Sequence, residues 1–141
     1  MTTEQFTTWL MEQEILRRRR KDPIKACDAV GIGGVRRRTL VHGRDLPSKI
    51  EALACAHYAH RMELPFALES AAMAAFVESH FASVAGLADD LEVLAETLTA
   101  QLRGYRVNAH KEQVPAPINP TLARALHWCA VIGPVSPYGG R

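Results

Sequence analysis

Residues 22–44 read Asp22-Pro23-Ile24-Lys25-Ala26-Cys27-Asp28-Ala29-Val30-Gly31-Ile32-Gly33-Gly34-Val35-Arg36-Arg37-Arg38-Thr39-Leu40-Val41-His42-Gly43-Arg44, and this stretch decides the fold class. Asp22-Pro23 has the form of a helix N-cap and first helical residue, because proline has no N–H to leave unpaired there and its φ is already helical. Ile24, Ala26, Cys27, Ala29 and Val30 follow, and Gly31 stops the run. Three glycines within residues 31–34 cost too much backbone entropy for a helix interior, so this segment is a turn. Beyond it, residues 35–41 fit either a third helix carrying Arg36, Arg37 and Arg38 or a short strand; the helix is the expectation.

Upstream, Thr2 or Thr3 caps a first helix whose apolar positions Phe6, Trp9, Leu10, Ile15 and Leu16 recur at about the helical period. It ends in Arg17-Arg18-Arg19-Arg20-Lys21, cations suited to the negative end of the dipole. Downstream, Ser48 and Glu51 have capping-box spacing ahead of Ile50, Leu53, Ala54 and His57. Pro65 reads as the start of a helix bearing Phe66, Met73, Phe76, Val77 and Phe81. After Gly86, Leu87, Leu91, Leu94, Leu98 and Leu102 predict one amphipathic helix stopped by Gly104. Residues 105–118 hold Pro115 and Pro117 and read as an irregular connector; Asn119-Pro120 then caps a last helix with Leu122, Leu126, Trp128, Cys129 and Val131. The expected fold is all-α, a compact bundle of about five or six short helices with a helix-turn-helix-like N-terminal unit. One domain is expected over residues 1–133, with a loosely ordered tail over 134–141.

At 141 residues, 48% apolar and 23% charged, the chain can bury a core without disulfides or a structural metal. No stretch approaches the roughly 18 consecutive apolar residues of a membrane span, and the N-terminus carries Glu4 where a secretory signal needs base. The three cysteines, Cys27, Cys55 and Cys129, are odd in number, widely spaced and set among apolar residues, as reduced core thiols are. A soluble cytoplasmic protein is expected, with no membrane partner.

The net charge of +2 conceals a segregation. Residues 1–61 hold twelve Lys/Arg against seven Asp/Glu, residues 62–102 hold none against seven, and residues 103–141 hold five against one. Within the first block, residues 17–44 carry ten cations and only Asp22 and Asp28, a net of +8. One reading is that acidic helices pack beside basic ones and the charges offset. The other is that the arginines serve a partner, since the planar guanidinium suits phosphate.

The segment Asp22–Arg44 resembles a helix-turn-helix. With Gly31 as the turn glycine, Ala26, Cys27, Val30 and Ile32 fall at positions that should be small or apolar, and Leu40 at a late buried one. It departs from the motif at Arg37, where an aliphatic side chain is normally buried, and the extra glycines lengthen the turn, so no family is assigned. The resemblance implies that Arg36, Arg37 and Arg38 open a recognition helix, while Arg17, Arg18, Arg19, Arg20, Lys21 and Arg44 neutralise backbone phosphates and Gly33 and Gly34 permit close approach. The expected partner is nucleic acid, DNA or RNA. The alternative is a helical adaptor or inhibitor that binds another protein through a charged surface, and leftover apolar area on the helices would suit a homodimer.

Enzymatic signals are weak. His57 and His60 share a helix face at i, i+3, but Cys55 lies on another side and no second Cys/His pair has zinc-like spacing. Ser79-His80 are neighbours pointing to different faces, and Asp89-Asp90 with Glu92 and Glu96 read as acids favoured at a helix start. The glycine turn lacks the lysine of a phosphate loop. No catalytic residue, metal ligand or cofactor is assigned.

Overall fold

A computed structural model describes residues 1–139, and over them the chain is an all-α bundle of eight helices with one β-hairpin. Thr2 caps α1 (Thr3–Arg19) through a capping box completed by Gln5. The short α2 (Ala26–Ala29) and α3 (Gly34–Val41) precede α4 (Lys49–Ala59), whose capping box is Ser48 with Glu51. The chain bends by 96° between α5 (Ser70–His80) and α6 (Val84–Leu91). Next, α7 (Ala95–Arg103) leads through the left-handed Gly104 into β1 (Tyr105–Val107) and β2 (Gln113–Pro115), an antiparallel pair with Arg106 opposite Val114. Asn119 caps α8 (Pro120–Val131) by accepting from the Thr121 amide. No single helix among the described residues is long and apolar enough to cross a membrane.

The ambiguous segment 35–41 is helical, and the turn before it follows the glycine reading, with Gly31 at φ +76°. Several boundaries differ from expectation for identifiable reasons. Asp22 does not cap a helix: its Oδ1 accepts from the Ile24 amide at 2.9 Å, a local turn, and α2 begins only at Ala26. Pro65 starts no helix, because Phe66 turns inward onto Phe76 with ring centroids 4.9 Å apart and α5 waits until Ser70. The leucine series is two helices, divided where Glu92 takes φ +55° and the Val93 amide closes back onto the Ala88 carbonyl at 3.0 Å. Asp89 and Asp90 therefore lie in the last turn of α6, the unfavourable end of its dipole, and not at a helix start. The connector 105–118 contains the hairpin, tightened by the Asn108 side chain accepting from the amides of His110 and Glu112.

Two apolar clusters fill the bundle. Phe6, Trp9, Ala26, Cys27, Val30, Ile32 and Leu40 pack with Ala54 and Cys55 of α4. On its other side, α4 gives Leu53 and Ala56 to a larger cluster with Met73, Val77, Leu87, Leu91, Leu98, Leu122, Leu126 and Trp128. Lying between both, α4 is buried without a break from Glu51 to His57, as its nearly uniform apolar sequence requires. Ile15 and Leu16, expected on the core face of α1, are instead exposed.

The N-terminal unit seats its turn on the start of α8. Thr121 Oγ1 donates to the Val30 carbonyl, and a Cβ at Gly31 would sit 2.5 Å from that hydroxyl and 3.0 Å from the Thr121 backbone nitrogen. Only glycine satisfies both the positive φ and this approach. The tail expected to be loosely ordered is tied down as far as Tyr138: Trp128 Nε1 donates to Val135 O at 3.2 Å, Gln5 Nε2 to Tyr138 O at 2.8 Å, and Ser136 is buried. Residues 140–141 of that tail lie outside the described ones.

Candidate functional site

The nine cations singled out by sequence divide into two groups. Arg17 is half-buried, paired with Glu14 one turn earlier, and donates through Nη1 to the Asp22 carbonyl at 3.1 Å, closing the end of α1. Arg36 is equally committed: Nε and Nη2 reach the two oxygens of Glu51 at 2.9 and 2.7 Å, and Nη1 reaches Asp45 at 2.7 Å. Burial pushes the Glu51 carboxyl up, but the bonds from Arg36 and Ser48 outweigh it and hold the group below the usual carboxylate range. These two arginines brace the frame. Arg18, Arg19, Arg20, Lys21, Arg37, Arg38 and Arg44 are exposed, and none has an ion-pair partner among the described residues.

The frame brings one member of each cluster to a common groove. Between α1 and α3 lies a depression of ≈ 430 Å³ lined by Arg18 and Arg37, with Leu10, Met11, Ile15 and Val41 as its apolar surface. Met11, Ile15 and Arg18 recur at i, i+4 and i+7, and Arg37 and Val41 at i and i+4, so each helix contributes a single stripe. Glu14 also lines the groove, but its charge is taken up by Arg17. A smaller pocket of ≈ 170 Å³ on the other flank of Arg37 is lined by Lys25, Asp28 and Gly34, where α3 begins without a side-chain cap. Lys25 was not singled out by sequence; its nearness to Arg37 depends on how the turn folds back. Gly33 faces open space, and Arg37, the departure from the helix-turn-helix pattern, is exposed while Ile32 and Leu40 supply the buried anchors.

No known family, curated protein or solved structure matches this chain. What the basic unit can do follows from its own side chains.

The acidic block does not neutralise it by contact. Among the described residues, one ion pair joins residues 1–61 to residues 62–102, Lys49 with Glu92 at 3.5 Å; the other pairs are internal to the N-terminal block.

A polar chain crosses between the two clusters instead. Arg124 Nε donates to the Ala29 carbonyl at 2.9 Å, and its Nη1 to His57 Nδ1 at 3.0 Å. Guanidinium has no acceptor, so His57 Nδ1 is unprotonated and Nε2 carries the hydrogen, donating to His127 Nδ1 at 2.8 Å. Burial, then the neighbouring Arg124 and His127, lower the His57 pKa to about 3. His57 and His60 thus part company: His60 packs on Trp128, 5.2 Å between centroids, and no group of three His, Cys, Asp or Glu side chains converges among the described residues. Ser79 and His80 turn separately to the carbonyls of Ala75 and Phe76. All three cysteines are free and buried, and burial pushes the Cys27 thiol up to about 11.

Proposed function

We propose that this is a cytoplasmic nucleic-acid-binding protein, a regulator or accessory subunit of a nucleoprotein complex, that grips phosphates with the exposed cations of α1 and α3. The observation carrying this reading is that Arg18 and Arg37, from two clusters separated in sequence, line one groove without acidic partners of their own. In this reading α2, the glycine turn and α3 act as a helix-turn-helix-like unit, with Val35, Arg37, Arg38 and Val41 on the outer side of α3. Arg19, Arg20, Lys21, Arg44 and Lys25 add sequence-independent attraction. Arg17 and Arg36 are reassigned from phosphate contact to bracing.

The test is binding of DNA and RNA oligonucleotides to the full chain as a function of salt. If about four phosphates are neutralised, affinity falls about 100-fold between 50 and 200 mM salt. Replacing Arg18, Arg37 and Arg38 together with glutamine abolishes most of the binding and flattens the salt slope by about 3. Absence of retardation of either nucleic acid at low salt rejects the proposal.

A second reading rests on the same groove: its apolar surface, with Met11 66% and Ile15 48% exposed, also fits a protein partner or a second copy of this chain. A partner that stays bound after nuclease treatment, or a dimer lost on Met11→Glu, favours that reading.

A further inference from the structure

The other flank of α1 carries a second depression, of ≈ 510 Å³, and its chemistry is the reverse of the arginine groove. Glu4, Thr8 and Glu12 recur every four residues and form its outer stripe, all exposed. Gln5, Trp9 and Gln13 form the deeper stripe one residue on, and Tyr138 of the C-terminal tail closes the far wall. No lysine or arginine lines it, and neither Glu4 nor Glu12 has an ion-pair partner among the described residues.

Gln13 makes this more than an acidic patch. Its side chain is buried, with the residue only 6% exposed, yet its carboxamide has no hydrogen-bond partner among the described residues. Gln5, two turns earlier on the same stripe, uses both ends of its carboxamide, accepting from the Thr2 amide and donating to Tyr138 O. Among the described residues Tyr58 Oη is the one side-chain polar atom sealed from solvent without a partner, so the Gln13 amide keeps some solvent contact, and Gln13 lines the depression. With so little of Gln13 open to water, a bound N–H group would supply the partner that no protein atom among the described residues gives its carboxamide.

We propose that this depression binds a small elongated organic cation of the aliphatic polyamine class. Glu4 and Glu12 stand eight residues apart, about 12 Å along the helix axis, which suits two ammonium groups joined by a chain. The methylene stem lies across the apolar edge of Trp9 and Tyr138, and the ammonium at the Glu12 end donates a second N–H to Gln13 Oε1 of the adjoining residue. The site is independent of the arginine groove, which uses Met11, Ile15 and Arg18 on another side of α1.

The test is an NMR titration of the nucleic-acid-free full chain with spermidine, butylamine and n-butanol, read at the Gln13 side-chain amide and the Trp9 indole N–H. Spermidine gives saturable shifts and binds about tenfold more tightly than butylamine, because the second ammonium is delivered intramolecularly; n-butanol gives none. Glu12→Gln, an exposed change that leaves the fold intact, weakens spermidine by about tenfold, and Gln13→Leu weakens it comparably. Asp89→Asn with Asp90→Asn leaves the titration unchanged. Shifts that never saturate, that persist in Glu12→Gln or that vanish in the Asp89/Asp90 variant overturn the proposal, and the Glu12 arm decides the matter even if Gln13→Leu fails to fold.

Discussion

The basic N-terminal unit and the acidic helices α5–α7 carry opposite charge of similar size, yet they treat it differently. In residues 1–61, cations outnumber acids, and three of the seven acids are paired with bracing arginines: Glu14 with Arg17, Asp45 and Glu51 with Arg36. What remains is an excess of exposed cations around a groove. In the acidic helices the carboxylates lie on the surface and, among the described residues, only Glu92 is drawn to a cation, Lys49 across the divide. The difference teaches that charge segregation along this chain survives folding. The two blocks sit on separate apolar clusters divided by α4, so their opposite charges do not meet in bulk. A near-neutral total thus hides a dipolar molecule, which is the property a phosphate-binding reading needs.

The seam between the regions is the most sensitive place to break that arrangement. Gly31→Ala forces a side chain into a left-handed conformation and against Thr121, and is expected to cost about 2–4 kcal/mol of stability by urea unfolding. A loss below about 0.5 kcal/mol, the range of an ordinary surface change, means that the turn does not seat on α8 as described.

The buried chain from Arg124 through His57 to His127 makes the same seam sensitive to acid. The His57 pKa is lowered from 6.5 to about 3, so below 6.5 the unfolded chain takes up a proton that the folded chain refuses. Its contribution is present in full above that value and declines as the pH falls. Between pH 7 and pH 5, before the carboxylates titrate, stability is expected to drop by about 2 kcal/mol. His57→Gln, less stable at pH 7, loses this part of the pH dependence. An unchanged slope in that variant places the acid sensitivity elsewhere.

The elements with local chemical markers were legible in the sequence: a threonine cap at Thr2 or Thr3, the capping box at Ser48, Asn119-Pro120, and the stops at Gly31 and Gly104. The stops at Arg61 and Glu92 use the same left-handed geometry without glycine, and they were not. Leu91 and Leu98 are indeed core residues, but Leu94, which bridged them in the four-and-three spacing, is 74% exposed beside the break. The charge excess was equally readable from composition. What sequence could not resolve was which arginines are spent on the frame, because Arg36 meets Glu51 across 15 residues and Arg37, its neighbour, points away from that contact.

Those adjacent arginines sharpen the comparison within a single helix. Arg36→Gln removes a fork of hydrogen bonds to Glu51, whose side chain is 11% exposed, and is expected to cost about 1–2 kcal/mol, discounted because a third of the Arg36 side chain meets solvent. Arg37→Gln should stay within about 0.5 kcal/mol. Nucleic-acid affinity moves the other way: measured per folded molecule, Arg37→Gln weakens it by about 3- to 10-fold and Arg36→Gln leaves it nearly unchanged. Equal loss of affinity in both variants removes the distinction between bracing and binding.

The smallest effect tests the separation itself. Lys49 and Glu92 form the one ion pair joining the blocks among the described residues, at 3.5 Å and with the glutamate side chain 48% exposed. A pair of that kind contributes about 0–1 kcal/mol, because solvent screens it and both side chains lose freedom in making it. If intramolecular attraction between basic and acidic helices were an organising force, Lys49→Met would be costly and its cost would shrink as salt rose. The separated arrangement expects instead a change below about 0.5 kcal/mol, little altered between 50 and 500 mM salt, since the apolar clusters flanking α4 and the contacts of α8 with the turn already fix where each block sits. Thermal unfolding of the variant across that salt range distinguishes the two: a large, salt-dependent loss would mean that the blocks do hold each other, and that the exposed arginines are part of an internal balance.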